Sequence, residues 1–413
     1  MLANPRPHLS RRELLSAMSI AGGVCIGLEK ILLPSPAYGQ SRNSFAGGEM
    51  LGIVPLAREG TPPMDTPIGE ELDGRLYTDL STLAPEKPIT PVERFYVRTR
   101  ASALLKDTDL RSIEMRGLTG DPVRVSTEEL RARARPMGRH LMECAGNTRD
   151  GRFGLISVAD WTGVPLTEVL QRLPAVPTVK DTRILVSGFD RYASQSASST
   201  PGASWIFSPD DIRSSGAFLA TEMDGAPLTR DHGAPVRLVV PGWYGCTCIK
   251  WVNEIRAVPD AAEPTSQMQE FAFRTMQHGS PKLARDYQPP AIDPAAMATR
   301  VEKWRVGDKI KYRVAGILWG GTAPVKRLEI RFNPEEDYVP VDNFEQSSHD
   351  SSTNRPNEGS TARSNDSWSF WSHSWMPAAP GKYLLRLRVA EPVVPTRRLD
   401  MGFYVREVEI SEV

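Results

Sequence analysis

The stretch His140–Arg149, HLMECAGNTR, decides how this chain is interpreted. Its cysteine, Cys144, lies between an apolar, strand-like run and a Gly-Asn turn, and Arg149 follows five residues later. A lone cysteine is commonly a buried core residue. A thiolate beside cations is instead a soft ligand for a metal ion. The spacing alone leaves both interpretations open.

Further motifs lie on both sides of this stretch. Upstream is Arg94–Arg98 (RFYVR), and downstream Trp161–Leu166 (WTGVPL) leads into helical apolar spacing. Asp231–Gly242 (DHGAPVRLVVPG) contains a β-branched run that Pro-Gly stops, and Ile249–Val252 (IKWV) follows it. The β-branched run and Ile249–Val252 are both predicted to be strands.

In their order and spacing these motifs resemble the sulfite oxidase family, over roughly residues 60 to 413. The resemblance implies an α+β fold in which a mixed, β-rich molybdopterin domain precedes an immunoglobulin-like β-sandwich. It also implies a molybdenum cofactor with one molybdopterin per chain. Cys144 would then be the protein's thiolate ligand to molybdenum and a catalytic residue.

The resemblance carries further roles onto matching positions of this sequence. Arg and Lys pair with phosphate, and His can donate to it. The residues implied to hold the pterin and its phosphate are His232, Arg237 and Lys250. On the residues alone, His232 could equally cap a turn, and Lys250 could lie on a solvated strand face.

Two arginines are implied to bind an anionic substrate in front of the metal, Arg98 and Arg149. Planar guanidinium groups with forked donors suit an oxyanion. The alternative is that Arg149 stabilises the fold by pairing with a carboxylate such as Asp150 or Asp160.

The sequence departs from the family pattern at two places that bear on the site. Thr99–Arg100 stands where the family commonly has Asn-His, so Thr99 is the expected cofactor contact there and Arg100 adds positive charge. An active-site tyrosine is expected near Gln269–Arg274, which instead contains phenylalanines. Tyr287 is the next tyrosine along the chain.

Composition and turn signals divide the 413 residues into segments. The predicted segments are a signal peptide over 1–39, an N-terminal wrap over 40–90, the molybdopterin domain over 91–260, a connector over 261–297 and the sandwich over 298–413. Ser126 with Glu129 predicts a capped helix that ends near Arg133. Val164–Leu173 is predicted to be a second helix.

The N-terminus predicts export. Ser10–Leu15 (SRRELL), the apolar run after it and Ala37–Gly39 fit a twin-arginine signal with its cleavage site. That route carries folded proteins, so we expect a periplasmic protein without a membrane anchor. The 50 basic and 50 acidic residues give a formal charge of zero, which argues against nucleic-acid binding.

Two partners are expected. The sequence has no CxxCH haem motif, so electrons must pass to a separate acceptor, for which a c-type cytochrome is the natural candidate in the periplasm. The resemblance implies a homodimer formed through the C-terminal sandwich, since open sheet edges need covering.

The sequence is compatible with three functions. The first is oxidation of sulfite or a related sulfur oxyanion. The second is reduction of sulfoxides with the same cofactor, as in periplasmic methionine sulfoxide reductases, which lack the C-terminal sandwich. The third is a non-catalytic β-sandwich binding module, which would need neither the twin arginines nor an arginine-flanked cysteine. The sequence favours the first.

Overall fold

The computed structural model describes residues 45–173, 181–345, 367–391 and 394–413. All of these residues belong to one compact unit. The expected signal peptide over residues 1–39 lies outside the described residues, and so does most of the Ser/Asn-rich stretch from 342 to 367.

Strands outnumber helices in the described residues. The helices are α1 (Thr127–Arg133), α2 (Leu166–Leu170), α3 (Pro209–Ser215), α4 (Ser266–Phe271) and α5 (Arg397–Asp400). The strands are β1 (Glu49–Val54), β2 (Leu56–Ala57), β3 (Ser112–Arg116), β4 (Val123–Ser126), β5 (Arg135–Glu143), β6 (Ile156–Pro165), β7 (Thr182–Gly188), β8 (Ser204–Phe207), β9 (Phe218–Met223), β10 (Ala226–Pro227), β11 (Arg237–Val239), β12 (Val252–Pro259), β13 (Ala295–Val306), β14 (Lys309–Trp319), β15 (Leu328–Arg331), β16 (Val339–Pro340), β17 (Asn343–Glu345), β18 (Ser369–Trp375), β19 (Gly381–Val389) and β20 (Arg406–Ile410). No described helix has the length and apolar character needed to cross a membrane.

The first half of the chain forms two sheets. One is antiparallel, in the order β10-β9-β6-β5, with β11 also paired to β9. The other has the order β4-β3-β12-β7-β8, in which only β12 and β3 run parallel. β6 is buried along most of its length, which fits a strand covered on both faces. The ends of β5, β11 and β12 position the site described below.

The C-terminal half forms two further sheets, β1-β13-β14-β18-β17 and β16-β15-β19-β20-β2. Trp375 of the first contacts Tyr383 of the second and Phe332, which directly follows β15, with ring centroids 4.8 and 4.4 Å apart, so the sheets pack face to face. The predicted α+β, β-rich fold is confirmed. The immunoglobulin-like character of this sandwich stays a prediction.

The N-terminal segment contributes to this sandwich. β1 pairs with β13 and β2 pairs with β20, both antiparallel. The segment over 40–90 therefore joins sheets made mainly by residues after 295, besides running over the surface.

Local predictions had mixed outcomes. α1 is confirmed, and the Ser126 side chain accepts a hydrogen bond from Glu129 N. The helix predicted over Val164–Leu173 is shorter, because β6 continues to Pro165 and α2 ends at Leu170. The strand predicted over Ile249–Val252 is wrong for its first three residues. Trp251 has a φ of 53°, which no strand residue adopts, and β12 starts only at Val252.

Candidate active site

A cavity that is partly open to solvent lies between the ends of β5, β11 and β12 and the loop after β7. Of the residues predicted to form the site, those that line it are Cys144, Arg98, Thr99, His232, Arg237 and Lys250. Residues far apart in sequence thus meet around one space.

Cys144 follows β5 directly and is buried. Its backbone N donates to Leu155 O over 2.9 Å, and its carbonyl accepts from Asn147 N over 2.9 Å. Its sulfur accepts a hydrogen bond from Gly146 N over 3.3 Å. The turn therefore fixes the thiol at the cavity wall and directs a backbone N–H at its sulfur.

Arg98 approaches the cavity from another segment. Its Nη2 donates to Ser199 Oγ over 2.6 Å. Its Nη1 is buried and has no hydrogen-bond partner within the described part of the chain. A buried donor without a partner is costly, so this atom is suited to an anion that enters the cavity.

Arg237 opens β11 and is buried. Its guanidinium donates to His232 O over 3.2 Å and to Cys248 O over 3.3 Å. Its Nε, also buried, has no partner among the described atoms. Burial lowers the pKa of Arg237, yet a guanidinium stays charged at any ordinary pH.

Lys250 lies in the turn before β12. Its Nζ donates to Thr99 O and, over 2.8 Å, to Asp231 O. Burial and the nearby Arg237 lower the pKa of Lys250. Both of its protein acceptors are neutral carbonyls, so an incoming phosphate would be the first anionic partner of this amine.

Arg100, beside Thr99, is directed to a different partner. Its Nε donates to Asp231 Oδ2 over 3.0 Å, and Ala101 N donates to Oδ1 over 2.8 Å. Although burial opposes it, these two hydrogen bonds lower the pKa of Asp231. The carboxylate is therefore ionised, and its negative charge also acts on Lys250 and His232.

His232 forms part of the wall. Its Nε2 lies 2.9 Å from Phe95 O and its Nδ1 lies 2.7 Å from Thr229 Oγ1. A carbonyl can only accept, so Nε2 carries the proton and Nδ1 accepts from the hydroxyl. Burial lowers the pKa of His232 to about 4, in agreement with a neutral ring. With both nitrogens engaged, His232 shapes the cavity rather than donating into it.

Gly233 explains how Arg237 and Lys250 come so close together. Its φ is 104°, and an added Cβ would stand 3.0 Å from Arg237 Cβ and 3.1 Å from Lys250 Cβ. Only glycine combines that backbone with such close approach.

These donors fit a phosphate-bearing cofactor that meets a single thiolate. Among the described residues, no group of three or more His, Cys, Asp or Glu side chains could hold a metal ion. A metal at Cys144 needs further ligands from outside the chain, which a pterin dithiolene supplies. Arg98 Nη1 and Arg237 Nε are unpartnered donors ready for anionic groups.

Comparison with known proteins agrees with this chemistry. Residues 103–265 match the oxidoreductase molybdopterin binding domain. The mitochondrial sulfite oxidase of Macaca fascicularis is 26% identical over 269 residues, which cover 60% of this chain and 48% of that protein. This chain contains a molybdopterin-binding oxidoreductase domain and is similar in sequence to sulfite oxidases. It spans about half the length of the curated relatives it matches.

Two further known proteins are similar to this chain, one in sequence and one in structure. A nitrate reductase of Hordeum vulgare is 30% identical over 187 residues, 40% of this chain and 20% of that protein. The sulfane dehydrogenase SoxCD of Paracoccus pantotrophus superposes with a TM-score of 0.58 over 92% of this chain and 96% of that chain. Its sequence identity is 16%, so this likeness shows a common fold.

Arg149 is not placed as the family resemblance implied. It does not line the cavity, and its Nη2 donates to Val405 O over 2.6 Å. The chain turns at this point, because Arg149–Gly151 is one turn of 3-10 helix and Arg152 then has a φ of 50°. Its bonded partner is a backbone carbonyl of the C-terminal half. The expected pair of Arg98 and Arg149 is therefore not formed.

The segment Gln269–Arg274, where a tyrosine was expected, contributes a phenylalanine to the cavity. Phe271 lines the cavity, whereas Phe273 is 90% exposed. Tyr287 is buried outside the cavity lining. Tyr96 does line the cavity and was missed, although it lies inside the RFYVR motif beside Arg98.

Two cysteines in the cavity wall were also missed as site residues, Cys246 and Cys248. Burial raises the pKa of both thiols, so both are protonated at neutral pH. Only their closeness in sequence to Lys250 could have indicated this position.

Proposed function

We propose that this enzyme oxidises sulfite or a related sulfur oxyanion by oxo transfer and passes the electrons to a separate acceptor. The observation that carries the proposal is Arg98 Nη1, a buried donor that has no hydrogen-bond partner among the described residues and lies in the cavity that also holds Cys144. Its free donor suits an anionic substrate.

The chain's own residues have distinct tasks in this proposal. Cys144 would hold molybdenum, while Arg237, Lys250 and the neighbouring Thr99 would hold the pterin and its phosphate. When bound, the cofactor supplies a two-electron acceptor with a transferable oxo group. His232, Tyr96 and Phe271 would exclude water from the space around it.

Arg98 would orient the substrate anion and steady the charge that develops on its oxygens. The Ser199 hydroxyl, which accepts from Nη2, holds the guanidinium with Nη1 directed away from that contact. A neutral sulfoxide gains less from an unpaired guanidinium, which disfavours the reductase alternative.

The test is a pair of assays on molybdenum-loaded protein. One measures sulfite oxidation with ferricyanide as the electron acceptor. The other measures methionine sulfoxide reduction with a reduced viologen as the electron donor. We expect turnover in the first and at least a hundredfold lower efficiency in the second. Faster sulfoxide reduction would reject the proposal in favour of the alternative.

The expected cellular setting is part of the same proposal. The two arginines of SRRELL support export of a folded, cofactor-loaded protein to the periplasm, with a c-type cytochrome as acceptor. Replacing Arg11 and Arg12 together with lysine should leave the protein in the cytoplasm. Cell fractionation measures this, and unchanged periplasmic recovery would contradict twin-arginine export.

A further inference from the structure

We infer that Arg274 is a second substrate-binding residue, which contacts the anion from the Gly146 side of Cys144. The inference rests on the proposed function, since it concerns the substrate of that same site. It assigns a residue that lies outside the cavity lining and in the segment where a tyrosine was expected.

The geometry places the guanidinium of Arg274 beside the metal-ligand turn. A Cβ built on Gly146 would stand 3.2 Å from Arg274 Nη1 and 3.6 Å from Cys144 Sγ. Arg274 Nη1 and Cys144 Sγ thus border the same space beside the Gly146 Cα atom. This space is open because Gly146 has no side chain. Gly146 N is also the donor to Cys144 Sγ.

The backbone that carries Arg274 is tied to the backbone that carries Cys144. Arg398 Nη2 donates both to Ala145 O, over 3.2 Å, and to Arg274 O, over 2.5 Å. Arg398 is buried, and its guanidinium lies 4.6 Å from the centre of the Tyr244 ring. The buried guanidinium of Arg398 therefore bridges the segment that contains Ala145 and the segment that contains Arg274.

The charge of Arg274 is free for a ligand. No carboxylate pairs with it among the residues that the structure describes, and its nearest ring contact is Phe271, 5.6 Å from the guanidinium carbon. The residue is exposed, whereas Phe271 lines the cavity. Arg274 therefore presents an exposed cation, with no carboxylate partner among the described residues, on the Gly146 side of Cys144.

The test compares molybdenum-loaded wild type, Arg274→Gln and Arg274→Lys. Calorimetry with inorganic sulfate measures anion binding without turnover, and sulfite kinetics separate KM from kcat. We expect Arg274→Gln to weaken sulfate binding and to raise KM by about five- to twentyfold, since one exposed charge-assisted hydrogen bond is lost. kcat should change less than threefold, and Arg274→Lys should be intermediate.

Two further variants make the test specific. Gly146→Ala keeps every charge but puts a methyl group against Arg274 Nη1, so it should weaken sulfate binding in the same direction. Arg213→Gln removes an exposed arginine from α3 and should change nothing. Sulfate affinity and KM within twofold of wild type in Arg274→Gln, at equal molybdenum content, would overturn the inference. Absence of sulfite turnover would reject the proposed function, and sulfate binding would still decide the role of Arg274.

Discussion

At the scale of single residues, the site combines donors that are already satisfied with donors that are not. His232 and Arg100 donate to protein acceptors, whereas Arg98 Nη1 and Arg237 Nε are buried and have no partner in the part of the chain that the structure describes. Unpaired buried donors destabilise a protein unless a ligand satisfies them. This difference separates residues that shape the cavity from residues that bind in it.

Arg98 and Arg149 should respond differently to the same substitution. Arg98→Gln should lower kcat/KM about ten- to a hundredfold, since it removes a charge-assisted contact to substrate. Arg149→Gln should lower Tm and leave kinetics unchanged, because its Nη2 bonds Val405 O. Steady-state kinetics and thermal melts on both variants measure this. A kinetic loss in Arg149→Gln without loss of Tm would restore it to the active site.

His232 predicts a pH dependence of stability in the cofactor-free protein. Burial lowers its pKa from 6.5 to about 4, so between these values the folded state binds fewer protons than the unfolded state. The free energy of unfolding therefore decreases as pH falls from 6.5 towards 4, because the unfolded state takes up a proton that the buried ring does not. Between pH 7 and pH 4.5, wild type should lose about 2–3 kcal/mol more than His232→Gln in urea unfolding. Equal losses would show that His232 is not buried neutral.

At the scale of elements, prediction from sequence succeeded where the signal was local. α1 forms because the Ser126 side chain caps it. Ser126 and Glu129, three residues apart, make this cap predictable from the local sequence. The turn at Ile249–Trp251 could not be predicted, because its apolar residues fit a strand equally well. It forms because Ile249 O accepts from Leu238 N while Trp251 Nε1 donates to Arg230 O.

The same limit applies to the site. The predicted site residues that do line the cavity all lie in motifs with a recognisable order. They are Cys144, Arg98, Thr99, His232, Arg237 and Lys250. Arg149 lies in such a motif too, yet a 3-10 turn and a partner 256 residues away direct it elsewhere. Arg274 has no motif, and its place beside Gly146 depends on tertiary packing.

α5 predicts a stability coupling between the two halves of the molecule. Burial raises the pKa of Glu143, while Arg398 of α5 opposes that shift by its charge. Arg398→Met should cost about 1–3 kcal/mol, because it removes a positive charge near the buried carboxylate and leaves Ala145 O and Arg274 O without this donor. Adding Glu143→Gln should recover part of this loss. Urea unfolding of the four proteins measures the cycle, and strictly additive effects would contradict the coupling.

At the scale of the whole molecule, the N-terminal and C-terminal parts are interleaved. β1 and β2 complete the C-terminal sheets, and Trp319 Nε1 of β14 donates to Glu143 Oε2 over 2.8 Å, in the residue before Cys144. The sandwich therefore supports the Cys144 turn directly. Removing it should disturb the site and the fold together.

The homodimer expected through residues 300–413 remains a prediction. β17 is an edge strand of one sheet of the sandwich, and β16 is an edge strand of the other. Both strands are short, and a second subunit is expected to cover such edges. Sedimentation velocity at micromolar concentration should give a mass of about twice 45.7 kDa, less the signal peptide. A monomer under these conditions would contradict it.

The central claim is that Cys144 is the protein ligand to molybdenum. X-ray absorption at the molybdenum edge tests it most directly, on loaded wild type and Cys144→Ser with equal pterin content. We predict one sulfur fewer in the first shell of the variant, together with loss of sulfite turnover and a nearly unchanged Tm, since a hydroxyl is a harder and weaker ligand. An unchanged sulfur count with near wild-type turnover would contradict the claim.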